Sequence, residues 1–310
     1  SSTLPSENNS FSYYSAGLSY IASERFKLPE AVSFLKFRLS AASVGNDTDP
    51  FQNTQTFNLN GNYGSNFRVT NATVLQNTNL RPERLDAYEA GLEAWFLKGR
   101  IQLDASVYQN VSKDQIISRP ISTASGFSSF NENGGQIRTR GIELMLSASP
   151  IKTSDFQWNT NINFSSFRSV VTELPEGVDQ FVTATANVFG GSGGSNTVFY
   201  IAREGGRVGD MFGTGFVEID GQTLFDANGL PVQDPNLRKL GNYNPDFSLG
   251  FNNSFSYKNF DVNILFDWRQ GGTIVSRIKA LGSTSGVLQE TLLGREGGSP
   301  NTQFADGNGI

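Results

Sequence analysis

The chain has 310 residues, with 24 Lys+Arg against 29 Asp+Glu and a formal net charge of −5, which excludes the basic footprint of a nucleic-acid binder. It contains no His and no Cys, so Ser-His and Cys-His nucleophilic sites, imidazole or thiolate metal sites and disulfide frameworks are all excluded. No apolar run approaches the roughly 18 residues of a membrane helix and mean hydropathy is −0.32, but a β-barrel, whose strands alternate between lipid and lumen, stays open.

Ser1 to Ser10 carries neither a basic nor an apolar leader region, so any signal peptide is expected to have been removed or to lie further upstream. The first period-2 pattern then joins Tyr14, Ala16, Leu18 and Tyr20 to Leu35, Phe37, Leu39 and Ala41 through a turn near Arg25 to Pro29. A second pattern runs over Leu85 to Leu97, with Tyr88, Ala90, Leu92, Ala94 and Phe96 on one face and Glu89, Gly91 and Glu93 on the other. Lys98-Gly99 makes a tight connection, after which Ile101, Leu103, Ala105 and Val107 resume the apolar face opposite Gln102, Asp104, Ser106 and Tyr108.

A third hairpin sets Ile142, Leu144, Leu146 and Ala148 against Trp158, Ile162 and Phe164 across a short connection from Pro150 to Asp155. Its return strand puts Gln157, Asn159, Asn161, Asn163 and Ser165 on the opposite, wholly polar face. The fourth places Phe247, Leu249, Phe251, Phe255 and Tyr257 before Lys258-Asn259, and Phe260, Val262, Ile264, Phe266 and Trp268 after it. About ten strands are expected in all.

Connections alternate as well. They are short near Arg25, Gly99, Lys152 and Asn259, and long and polar at Asn46 to Asn66, Ser118 to Gly135 and Glu173 to Asn244. Short turns on one side and long loops on the other are the pattern of an outer-membrane barrel, and the strands exceed the roughly 9–11 residues that cross a bilayer. A half-solvated antiparallel sheet in a secreted protein shows the same alternation and stays open at this point. Trp95, Trp158 and Trp268 fall near inferred strand ends, where aromatic girdles belong, and fit ordinary core positions equally well.

Candidate chemistry is sparse. Gly190 to Gly194 lacks the following lysine of a phosphate loop and reads as a flexible linker. Asp226-Ala227-Asn228-Gly229 begins like a calcium loop, but Leu230 holds the next ligand position, so an Asn-Gly turn is expected. The carboxylate pairs Glu89/Glu93 and Glu83/Asp86 are of the kind that serves glycosidase chemistry, but alternation puts Glu89 and Glu93 on the polar strand face, where a solvated lumen wall is expected. Tyr63, Phe67, Phe127 and Phe130 lie in inferred long loops, where they either stack on substrate or anchor the loops.

Several blocks together resemble the C-terminal part of the SusC/RagA-like TonB-dependent outer-membrane transporters. They are Phe34-Leu35-Lys36-Phe37-Arg38-Leu39-Ser40 leading to Val44-Gly45-Asn46, then Asn79-Leu80-Arg81-Pro82-Glu83 leading to Tyr88-Glu89-Ala90-Gly91-Leu92-Glu93. Arg140-Gly141-Ile142-Glu143-Leu144, Asp155-Phe156-Gln157-Trp158 and Gly241-Asn242-Tyr243-Asn244-Pro245-Asp246-Phe247 follow in the same order, so the likeness spans Tyr13 to Glu296.

The resemblance implies an all-β fold, an antiparallel transmembrane β-barrel segment belonging to a plugged barrel of about 22 strands. Residues 1–310 would then be a partial barrel, roughly a third of a family member, with plug, TonB box and terminal strands outside it; Gly307 to Ile310 does not match the expected terminal strand. The implied function is TonB-dependent uptake of oligosaccharide or peptide across the cell outer membrane, with no catalytic residue and no cofactor. Implied partners are a SusD-like surface lipoprotein lid, the TonB complex engaged through the missing N-terminal region, and outer-membrane lipid. Family members often carry an Asp-rich loop where this chain has Glu218 to Leu230, and with that pattern unmatched no metal is expected. The alternative is a secreted all-β adhesin or carbohydrate-binding protein.

Overall fold

The computed structural model describes residues 3–187 and 197–289; the Gly190 to Gly194 run and Gly307 to Ile310 lie outside the described residues. In chain order the first elements are β1 (Tyr14–Ile21), α1 (Ala22–Arg25), β2 (Val32–Asn46), β3 (Phe57–Tyr63), β4 (Asn66–Asn71) and β5 (Val74–Leu75). Next come β6 (Glu83–Phe96), β7 (Ile101–Lys113), β8 (Ile116–Pro120), β9 (Ser129–Asn133), β10 (Gln136–Lys152), β11 (Phe156–Glu173) and β12 (Gln180–Asn187). The remainder are β13 (Thr197–Arg203), β14 (Asp210–Phe216), β15 (Glu218–Ile219), β16 (Gln222–Thr223), β17 (Gln233–Asn242), β18 (Phe247–Tyr257), β19 (Phe260–Gln270) and α2 (Arg277–Ser285). They fall into two compact units.

The larger unit is built on an eight-stranded antiparallel sheet in the order β1-β2-β6-β7-β10-β11-β18-β19. All four hairpins read from the alternation are present, and three more seams join them in sequence order. Four short connections sit at one end of this sheet and three long ones at the other, as the spacing implied. At the β6–β7 turn Leu97, Lys98 and Gly99 take positive φ of 52°, 59° and 83°, so Gly99 relieves one of three left-handed positions.

The long stretches are not the plain loops expected from their composition. Residues 57–71 form the β3–β4 hairpin, in which Phe57 and Leu59 alternate with Asn and meet Asn71 and Val69 around a Gly64-Ser65 turn. β5, β9 and β8 form a three-stranded sheet with β5 parallel to β9. Its anchor is the buried Asn131, whose Nδ2 donates to Gln52 Oε1 at 2.7 Å and to Gln76 Oε1 at 2.8 Å.

The smaller unit carries a four-stranded sheet, β12-β13-β14-β17, within the stretch expected to be one loop. Val198, Ile201, Met211 and Phe212 form its core. Asp210, fully buried, accepts from Asn242 Nδ2 at 2.9 Å and pairs with Lys239 Nζ at 2.7 Å, so its charge is compensated within the sheet.

Candidate functional site: a two-faced strand wall

Register turns the alternation of single strands into continuous rows across the eight-stranded sheet. One row reads Tyr20, Phe37, Leu92, Ala105, Leu144, Phe164, Leu249, Trp268, apolar in every strand. The next row on that face reads Leu35, Ala94, Leu103, Leu146, Ile162, Phe251, Phe266. One residue along each strand, the opposite face reads Ser19, Arg38, Gly91, Ser106, Glu143, Ser165, Ser248, Arg269.

Burial runs against what a water-soluble sheet requires. Leu39 is 55% exposed, Phe37 46%, Val107 51%, Phe266 59% and Trp268 54%, all on the apolar face. A contiguous apolar band of this size in water would be a large exposed patch; in hydrocarbon it is the solvated side. The tryptophans divide accordingly. Trp158 lies on the apolar face at the short-turn end, stacked on Phe255 at 5.8 Å and donating from Nε1 to Asn253 Oδ1 at 3.0 Å, while Trp268 lies near the other end of the same face. Trp95 instead takes the polar face beside Phe34, where a register shift between Val32 and Phe34 occurs; it is not part of a girdle.

The polar face is organised by charge. Arg38 of β2 reaches over β6 to Asp104 of β7, donating two 2.8 Å hydrogen bonds in a fork-to-fork pair. The path exists because Gly91, its partner on β6, has no side chain: a Cβ there would sit 2.9 Å from Arg38 Nη2. Glu93 joins the cluster, 3.7 Å from Arg38 and 3.4 Å from Lys36. Farther along the sheet, Gly141 makes room for the phenol ring of Tyr108, which lies across it. A recess of about 460 Å³ opens on this face among Asp104, Glu143, Asn163, Ser248 and Asp267. Hydroxyls, amides and carboxylates spread over several strands suit many weak hydrogen bonds to a polar solute, and no nucleophile–base pair is assembled among them. Glu89 and Glu93 lie on this polar wall as expected, whereas Glu83 and Asp86 lie at the long-connection end of β6; Asp86 is held there by Ser43, Arg84 and Lys113 at 2.7–2.9 Å.

The four aromatics separate into two places. Tyr63 and Phe67 flank the tip of the β3–β4 hairpin, 85% and 76% exposed. Phe127 and Phe130 are half-buried at the three-stranded sheet, where Phe130 pairs with Leu75 and Arg119. Asp226 closes a turn, its Oδ1 accepting from the N–H groups of Asn228 at 2.8 Å and Leu230 at 2.9 Å. These bonds hold its carboxyl below the usual carboxylate range, Leu230 first. The cross-strand Arg38–Asp104 pair escaped sequence reading because it depends on register; the signal available was a lone glycine in an otherwise full strand.

Long antiparallel strands, lipid-compatible on one face and polar on the other, with short turns at one end and long folded connections at the other, define the wall of a transmembrane β-barrel. Residues 2–263 match the family described as TonB dependent receptor-like, beta-barrel, and the chain belongs to that family. It is similar to the TonB-dependent receptor P3 of Formosa agariphila, 28% identical over 87% of this chain and 29% of that protein. The TonB-dependent receptor SusC of Bacteroides thetaiotaomicron is 27% identical over 75% of this chain and 24% of its own length. The structure of the RagAB peptide transporter superposes with a TM-score of 0.70 at 21% identity, covering 86% of this chain and 30% of that one. The chain thus spans less than a third of the length of these relatives.

Proposed function

We propose that this chain forms part of the barrel wall of a TonB-dependent nutrient importer in the cell outer membrane. The observation that carries the reading is the pair of opposed rows: eight apolar residues facing outward and, one position along each strand, a polar row facing the lumen. Among the described residues, the eight-stranded sheet leaves the outer edges of β1 and β19 unpaired, and hydrocarbon cannot satisfy those backbone groups, so further strands close the barrel. Oligosaccharide or peptide cargo crosses between the polar face and a plug supplied by chain outside residues 1–310. Tyr63 and Phe67 reach substrate or a SusD-like surface lipoprotein lid at the extracellular mouth, Phe127 and Phe130 support that rim, and TonB engages the N-terminal region.

The test is uptake. Cells carrying the full-length protein take up labelled oligosaccharide or peptide in a manner abolished by loss of TonB, and the detergent-extracted receptor co-purifies with a surface lipoprotein. Recovery of the full-length protein as a soluble species without detergent overturns the reading and favours a secreted adhesin.

A further inference from the structure

The apolar face ends abruptly toward the long-connection end of β10 and β11. Arg140 of β10 and Arg168 of β11 are direct register partners there, and Arg138 stands two residues farther along on the same face. All three are exposed. Like charges placed directly opposite each other in an antiparallel pair are destabilising, yet among the described residues none of the three makes an ion pair; Arg140 Nε donates only to the neutral Gln109 Oε1, at 2.7 Å. The contrast with nearby cations is sharp: Arg38 on the polar face is matched by Asp104 and Glu93, and Arg84 and Lys113 share Asp86.

A second observation lies directly below. An open groove of about 1000 Å³ begins at Arg140 and Arg168 and runs over Ile142, Val107, Leu39 and Leu18, where Ala16 and Ala41 leave the wall low. A paired cationic head above an apolar trough is complementary to an amphiphile with an anionic head and acyl chains.

We propose that Arg140, Arg168 and Arg138 bind the phosphate groups of a phosphorylated glycolipid in the outer leaflet, with an acyl chain of the same molecule lying in the groove. Two guanidinium forks on facing strands hold phosphate oxygens bidentately, and the anion removes the repulsion between them. This rests on the barrel reading, which places the long connections outside the cell and hence these arginines at outer-leaflet headgroup depth.

The experiment is native mass spectrometry of the full-length receptor, delipidated in detergent and titrated with diphosphorylated lipid A, the same lipid dephosphorylated, or inorganic phosphate. The wild type retains the diphosphorylated lipid, whereas R140Q/R168Q retains it about 30-fold more weakly and R140K/R168K at an intermediate level. Heat-modifiable electrophoresis of each variant reports barrel assembly separately. Equal retention by R140Q/R168Q, or equal retention of dephosphorylated lipid, overturns the proposal. Capture of inorganic phosphate in place of lipid overturns the lipid assignment. Conversion of a dimer to a monomer by R140Q/R168Q, with lipid retention unchanged, assigns the face to a second copy instead. A wild type that neither requires detergent nor shows heat-modifiable mobility removes the barrel reading itself, and this proposal with it.

Discussion

Two adjacent residues of β10 test the assignment of faces most directly. Leu144 sits in the second of the outward positions Ile142, Leu144, Leu146 and Ala148, between Ala105 and Phe164. Met145 points the other way, between Asp104 and Asn163. Arginine at either position makes the same change in strand propensity and net charge, so the difference between L144R and M145R isolates the solvent each face meets. A guanidinium near the bilayer midplane costs about 2–4 kcal/mol in barrel stability, or about 30- to 700-fold in the folding equilibrium. At position 145 the same group meets a carboxylate and an amide in a wet lumen, and its effect stays within about 0.5 kcal/mol, as for surface substitutions generally. Urea titration of the full-length receptor refolded into phospholipid vesicles, with folded fraction read from heat-modifiable mobility, measures both. Equal losses, or a larger loss in M145R, would refute the two-faced wall.

Three further outcomes follow from the same geometry. G91A drives a methyl group against Arg38 and removes its paired bonds to Asp104; with the two side chains 31% and 40% exposed, the loss is about 1 kcal/mol. G250A is its control, because a Cβ there meets nothing nearer than 3.9 Å, and urea midpoints that move equally in both variants rule out the crossing-arginine account. W158F leaves the buried Asn253 Oδ1 without its indole donor and lowers stability by about 1 kcal/mol, whereas N253L/W158F recovers part of that loss in the same titration. The Asp226 turn is pH-dependent in a definite direction: because its carboxyl is held down in the folded state, the turn is secure above the ordinary carboxylate pKa of about 3.9 and loosens as pH falls through the folded value below it. Deuterium uptake of a peptide covering residues 224–232, corrected for intrinsic exchange, rises there, and D226N, whose amide oxygen accepts at any pH, shows no such rise.

The wall was legible in the sequence because a half-solvated strand writes its environment at every second position. Asn159, Asn161 and Asn163 against Ile162 and Phe164 need no partner to reveal two faces. The smaller unit left no such trace. Val198 to Ile201 is a short apolar run with one buried residue on each face, Val198 and Ile201, and with Phe199 and Tyr200 half-buried, so it shows no alternation of polar with apolar positions. The β3–β4 hairpin was hidden by its asparagines, although Phe57 and Leu59 do alternate toward a Gly-Ser turn. Trp95 has the parity of Glu89, Gly91 and Glu93, so alternation within its own strand already set it on the polar face; only its place near the strand end suggested a girdle. Charge pairs such as Arg38 with Asp104, and the Arg140–Arg168 juxtaposition, exist only once register is known, and register belongs to pairs of strands.

The order of strands in the main sheet has a kinetic meaning. Every seam joins neighbours along the chain: four of the seven close across short turns such as residues 97–100, two across residues 47–82 and 114–135, and all but one across 36 residues or fewer. The exception is the seam between β11 and β18, whose partners are separated by residues 174–246. By the logarithmic scaling of loop closure, uniting those ends costs about 2.5 kcal/mol more than closing the four-residue turn between β6 and β7. The last hairpin, β18–β19, is therefore the late arrival during assembly, and its Phe255 and Asn253 await Trp158 on an edge already formed.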